Sequence, residues 1–190
     1  MSKNSQIAPV TDAGLLGDPA QPIMARALDH RAPHRYPPHS HARAQLVYAV
    51  SGVLTVATDY ASWLVPPQQA VWVPPGVTHE VRAAGPVAMR NLYLHPNAVQ
   101  GLPDECRVIA VSGLLRELIL RAADIPGEYP PSAAESRIGL MVLDELRVAA
   151  PEPLHLPLPR DRRVKAVTEA LTANPGDRRP LAGWARAAGA

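Results

Sequence analysis

Phenylalanine is absent from these 190 residues, and aromatic residues of every kind make up only 4% of them. A core must therefore be assembled from Val, Leu, Ala and Ile, with a few Trp and Tyr. At 47% hydrophobic residues there is enough apolar material for one good-sized domain and part of a second, which excludes wholesale disorder. Cys106 is the sole cysteine, so an internal disulfide framework is excluded and a reducing compartment fits. It lies in the strand-like run 106–111, where a buried, inert thiol is expected rather than a nucleophile. No stretch has the length needed to cross a bilayer. The first fifteen residues lack the charged start and continuous apolar run of a leader peptide, so a soluble cytoplasmic protein is expected.

Neither sign of charge dominates, but the balance is uneven along the chain. Residues 1–150 hold 12 Lys/Arg against 13 Asp/Glu, whereas residues 151–190 hold 7 against 4. A neutral body with a basic tail suits a sensor joined to a nucleic-acid reader, and equally a solvated helix surface.

Residues 1–29 show no clear periodicity and read as an extended arm. From 30 to 111 short runs rich in Val, Leu, Thr, Trp and Tyr alternate with turn residues. Leu46–Val50, Val53–Val56, Trp63–Val65, Ala70–Val73 and Val87–Leu94 are the strands, with Ser51-Gly52, Pro66-Pro67 and Pro74-Pro75-Gly76 among the breaks. Such spacing predicts a mainly β barrel or sandwich of antiparallel sheets.

Over 112–150 the period changes to a helical pair. Ser112 caps a first helix with the stripe Leu114, Leu115, Leu118, Ile119 and Ala122, and Glu117 and Arg121 are spaced as an ion pair. The capping-box pattern Ser132–Glu135 opens a second helix carrying Ile138, Met141, Val142, Leu143 and Leu146. This pair either pads the barrel or joins two subunits; Ile138, Met141, Val142 and Leu146 are the expected homodimer contacts. Residues 151–160 form a Pro-rich linker. Within 161–190, one helix over 161–173 has Val164, Val167, Ala170 and Leu171 facing inward. A second begins at Pro180 with Leu181, Trp184, Ala185 and Ala188 on one face.

The most informative stretch is His39-Ser40-His41-Ala42-Arg43-Ala44-Gln45, followed by Gly52. Histidines at i and i+2 on a strand share a face, and Gln45 keeps that parity. Some thirty residues on, the turn Pro74-Pro75-Gly76 delivers His79. Three imidazoles and an amide oxygen converging in a barrel form a plausible shell for a borderline divalent metal, Zn or Ni. The other reading is a set of satisfied polar groups lining an effector pocket. Tyr48, Trp63, Trp72 and Tyr93 are candidates for that lining, with core packing as their alternative. His30, His34, His95 and His155 belong to no motif and are expected at the surface or in packing.

These motifs resemble those of the cupin superfamily, with Gln45 where the first motif carries Glu and Ala83 where the second carries Asn. The Gln removes the one formal negative charge that would offset a divalent cation. It also argues against the two-histidine, one-carboxylate oxygenase chemistry. Ala185 and Gly189 are spaced as the small crossing residue and the turn of a helix-turn-helix unit. The order of cupin, helical pair, linker and helix-turn-helix resembles AraC-type transcription regulators. The resemblance runs from about residue 30 to the end and reaches only the first turn of the first helix-turn-helix unit. It implies a cupin that senses a small-molecule effector, operator DNA as a partner of the full-length protein only, and no catalysis. Arg162, Arg163 and Lys165 are then the expected phosphate contacts. A metal-dependent cupin enzyme, an isomerase or dioxygenase, is the rival.

Overall fold

The computed structural model describes residues 21–125, 133–152, 156–157, 159, 161–174 and 176–189. Ser132, His155, Arg160 and Ala190 fall outside them.

Two antiparallel sheets face each other. One has six strands, in the order β1 (Ile23–His30), β8 (Val87–Leu94), β3 (Ala44–Ser51), β6 (Gln69–Val73), β9 (Arg107–Ala110) and β10 (Pro151–Glu152). The other has five, in the order β11 (Leu156–Pro157), β5 (Ala61–Val65), β4 (Leu54–Ala57), β7 (His79–Ala83) and β2 (His34–His39). The mainly β expectation therefore holds. Four α-helices are described: α1 (Gly113–Ala123), α2 (Ala134–Val148), α3 (Arg162–Ala173) and α4 (Leu181–Ala187).

Side-chain alternation sorts the apolar residues into two cores. Val47, Ala49, Leu54, Val56, Trp63, Val71, Val73, Val81 and Met89 fill the space between the sheets. Leu46, Tyr48, Ala70, Trp72, Leu92 and Leu94 point the other way and are covered by Leu115, Leu118, Ile119, Val142, Leu143 and Leu146 of α1 and α2. The six-stranded sheet is thus buried on both faces, so β3 reads as a nearly unbroken apolar run. In β5, by contrast, Trp63 and Val65 are buried while Leu64 between them is 65% exposed.

Gly52 joins β3 to β4 with φ +80, where a Cβ would lie 2.4 Å from the Pro86 carbonyl oxygen. No L side chain fits that turn. Ser112 caps α1 as its spacing predicts, accepting the Leu115 N–H at 3.0 Å.

Several local expectations are corrected. The barrel begins at β1, inside the stretch read as an arm, because all eight residues of β1 pair with β8. The residue at the start of α2 is Ala133, with no side-chain cap. Glu117 meets its neighbour Arg116 rather than Arg121. Val164 and Leu171 of α3 are exposed, while Val167 and Ala170 are half-buried. The Pro-rich linker is not free chain throughout: β10 extends the β9 edge and β11 extends the β5 edge.

Candidate functional site

His39 ends β2, directly opposite His79 at the start of β7, after a register shift that follows Tyr36. His41 lies just beyond β2. The Gly76 N–H donates to the His41 carbonyl at 2.9 Å, so the Pro-Gly turn before β7 is fastened to the loop that carries His41. Gln45, on the inward side of β3, closes the group.

Three ring nitrogens are held the same way. Nδ1 of His39, His41 and His79 lies 2.8, 2.5 and 2.9 Å from the carbonyl oxygens of Pro37, Arg43 and Val77. Each carbonyl can only accept, so each Nδ1 carries a proton, and in the neutral ring it is Nε2 that presents the lone pair. Burial lowers the pKa of His79 to about 4, which keeps it neutral near pH 7. The Nε2 atoms of His41 and His79 both lie 2.9 Å from Gln45 Oε1, and Gln45 Nε2 lies 3.4 Å from the Tyr93 hydroxyl.

Three acceptors facing one another repel, so this cluster needs hydrogen or a cation at its centre. Turning the Gln45 amide over supplies the hydrogen: its two N–H groups then donate to His41 and His79, and Oε1 accepts from Tyr93. A cation supplies the alternative, with Oε1 inward and the amide N–H directed to Tyr93. The metal-capable nitrogens of the three histidines lie within 4.8 Å of one another. Tetrahedral zinc wants donors separated by about 3.4 Å, so the side chains would draw in by about an ångström. The residues fit a metal by type, tautomer and convergence, and among the described residues no carboxylate belongs to the group.

The four aromatic candidates do not share a pocket. Tyr93 touches this cluster, its ring 5.4 Å from that of His41, and Trp63 lies in the inner core. Tyr48 and Trp72 face outward into the core beneath α1 and α2, and Trp72 Nε1 donates to the Pro103 carbonyl at 2.8 Å. Parity separates them: once Gln45 faces inward, Tyr48 three residues on faces out.

Sequence reasoning missed three polar groups whose partners are distant. Arg43 is fully buried and donates to the Gln21 carbonyl, fastening the start of β1. Glu80 is buried on the outer side of β7 between Arg35 and Arg82. Asn91 is buried on the inward side of β8, hydrogen-bonded to Tyr93. The usable signal was a charged or amide residue inside an apolar strand.

On α3, Arg162 is exposed and Arg163 folds back onto the capping Asp161. Lys165 lines a cleft of about 430 Å³ between α3 and the barrel, with Thr58, Asp59, Glu80 and Arg82 across from it. On α2, Val142 and Leu146 are buried in their own chain and Ile138 packs partly against it, whereas Met141 is exposed. Trp184 is buried with the Arg179 guanidinium 3.7 Å above its ring, while Leu181 on the same predicted face is 85% exposed. Gly189 adopts φ +73, the left-handed turn its spacing predicts.

Residues 22–141 match the family model for the AraC-like ligand binding domain. The chain belongs to that family. It is 32% identical over 149 residues to the HTH-type transcriptional regulator NimR of Escherichia coli K12, a match covering 78% of this chain and 54% of NimR. The chain thus spans about half the length of that relative. Among solved structures, the AraC-like transcriptional activator CuxR aligns with a TM-score of 0.50 at 14% identity, over 90% of this chain and 68% of CuxR. ToxT from Vibrio cholerae aligns with a TM-score of 0.45 at 5% identity, over 86% of this chain and 69% of ToxT. The fold is the cupin barrel followed by helices that the motifs imply. Among the described residues no helix is long and apolar enough to cross a membrane.

Proposed function

We propose that the chain is the effector-sensing part of a ligand-responsive, DNA-binding transcription regulator of the cytoplasm. The observation that carries this is the joint placement of a ligand-binding family match over 22–141 and a polar cluster in which His41, Gln45, His79 and Tyr93 are buried within the barrel and half-exposed His39 stands at its edge. Buried polar groups of this kind are costly unless satisfied, and a ligand or metal satisfies them.

The supporting helix of a helix-turn-helix spans α4, and the recognition helix would follow Gly189. Operator binding therefore belongs to a longer form that continues past Ala190 through that helix. Arg162 is the freest phosphate contact; Lys165 is exposed at the edge of the cleft beside the barrel. A gel shift on DNA upstream of the gene tests this. The long form is expected to bind specifically and the 190-residue chain to bind only weakly, with strong salt dependence. Specific shifting by the short chain, or none by the long one, overturns the reading.

Zn²⁺ or Ni²⁺ is the proposed metal, held by the three Nε2 atoms and Gln45 Oε1. Purified protein should carry it on elemental analysis, and His41→Ala should release it. An enzyme reading rests on the same histidines. It is disfavoured because the donor set is neutral and offers no carboxylate base or ligand. The outer side of α2, with Leu140, Met141 and Val148 exposed beside Leu114 of α1, is the proposed homodimer face. Met141→Glu should give monomer on sedimentation.

A further inference from the structure

The two sheets meet along two seams. At one, β10 and β11 edge the opening; at the other, β1 and β2 run to either side of it. The second seam is chemically odd. Cross-strand register fixes which residues face inward there: Arg26 sits opposite Asn91, Leu28 opposite Met89 and His30 opposite Val87. On the facing edge, Tyr36 sits opposite Val81 and His34 opposite Ala83. Met89, Val87, Val81 and Ala83 all belong to the inner core, so Arg26, His30, His34 and Tyr36 share its side.

The seam is organised rather than frayed. The His30 and His34 rings stack at 3.9 Å, and His30 Nε2 lies 2.8 Å from the Tyr36 hydroxyl. The inward residues Arg26, Tyr36 and His39 are all half-exposed, whereas Val56 and Val65 elsewhere on the inward faces are fully buried. The barrel is therefore open to solvent along this side, with an apolar floor of Leu28, Met89 and Val87.

Histidines aside, two formally charged side chains hold inward strand positions of the described barrel: Arg26 at this seam and Glu152, opposite Val108, at the other. Asp29 and Arg90 pair with each other on the outward side, and Glu80 is held outward by Arg35 and Arg82. Among the described residues no carboxylate forms an ion pair with Arg26. Its charge nevertheless acts on the hydroxyls of Tyr36 and Tyr93, offsetting part of the rise that burial imposes on both. One further atom waits for a partner: Asn91 Oδ1, in a residue only 3% exposed, accepts no hydrogen bond. An inward guanidinium without a counter-ion and a buried acceptor without a donor, opposite one another across β1 and β8, complement one kind of molecule.

We propose that the β1–β2 seam admits a small organic carboxylate bearing an O–H or N–H donor, with Arg26 facing the carboxylate and Asn91 Oδ1 accepting from the donor. The proposal rests on the effector-sensing reading and names the chemical class of the effector. A guanidinium offers a fork of N–H groups that fits a carboxylate, and Lys could not replace it equivalently. The Tyr36 and Tyr93 hydroxyls lie within the influence of the same charge. The three-histidine centre lies beyond Tyr93, so the carboxylate site stands whether or not metal is bound.

Calorimetry and thermal shift with four probes of similar size test this: mandelate, phenylacetate, mandelamide and 2-amino-1-phenylethanol, each on metal-loaded and metal-stripped protein. Mandelate should bind most tightly, phenylacetate more weakly for want of the hydroxyl, and the neutral and cationic probes at least ten-fold more weakly than mandelate. Arg26→Gln, at a half-exposed position, should keep its melting temperature and lose at least ten-fold in mandelate affinity, while Arg26→Lys recovers only part of it. Asn91→Leu should erase the preference for mandelate over phenylacetate. Carboxylate binding that survives in Arg26→Gln, or an amide or amine that binds as well as mandelate, overturns the assignment but leaves a sensing barrel. Absence of binding by all four overturns it too. The sensor reading itself fails only if, in addition, no small molecule of any charge alters DNA binding by the long form.

Discussion

The two faces of the six-stranded sheet are made from the same strands and yet do opposite work. Its outer face is nearly dry: Leu46, Leu92 and Leu94 meet Leu115, Ile119 and Leu143, and the polar atoms among them are Trp72 Nε1, bonded to the Pro103 carbonyl, and the buried Tyr48 hydroxyl. Its inner face begins as an equally dry core and ends in Gln45, Asn91 and Tyr93 beside three histidines. Alternation along a strand thus separates stability from chemistry by a single residue step. Tyr48 and Gln45 differ in parity, and one is packing while the other is site.

The sharpest way to break that division is to disturb the outer core. Leu143→Ala should cost about 2–5 kcal/mol in urea unfolding, through lost burial and the cavity left behind. Leu64→Ala, the same change on the solvent side of the five-stranded sheet, should stay within about 0.5 kcal/mol. Equal losses would dissolve the distinction. Gly52→Ala comes next, at about 1–3 kcal/mol, because the turn feeding β4 needs positive φ and has no room for Cβ beside Pro86.

The inner face should instead betray itself through pH. His79 has its pKa lowered to about 4 by burial, below the ordinary 6.5. Between those values the unfolded chain binds more protons than the folded one, so stability is full above about pH 6.5 and falls as pH drops toward 4. The loss should be on the order of 2–3 kcal/mol in metal-stripped protein. His79→Gln should flatten the slope; a slope unchanged by that substitution would place the sensitivity elsewhere. Smallest of all, Arg147→Ala removes an exposed contact with Asp144 and should shift stability by less than about 0.5 kcal/mol.

Much of this was readable from residue order. β8 runs over Val87–Leu94 as its alternation predicts, Ser112 caps its helix, and the two motifs bring His39, His41, Gln45 and His79 together. What escaped has a common cause. β1 reads as Met24-Ala25-Arg26-Ala27-Leu28-Asp29, too polar to announce a strand, and is ordered by its ladder with β8. β2 contains Pro37-Pro38, tolerated because it lies at the edge of its sheet. Arg43, Glu80, Asn91 and Arg26 gain meaning only from partners tens of residues away. Local patterning carries the barrel, and long-range pairing carries its mouth.

The stitching of the linker sets a leash. With β11 paired to β5, the chain between Pro157 and the start of α3 at Arg162 is five Cα steps, which reach at most about 18 Å when fully extended. Unzipping β10 and β11 frees the chain from Ala150 onward, twelve steps with a reach of about 43 Å. The volume within which the helices after the barrel can search then grows more than ten-fold. Four backbone pairings at two sheet edges therefore set the tether between the barrel and whatever those helices hold.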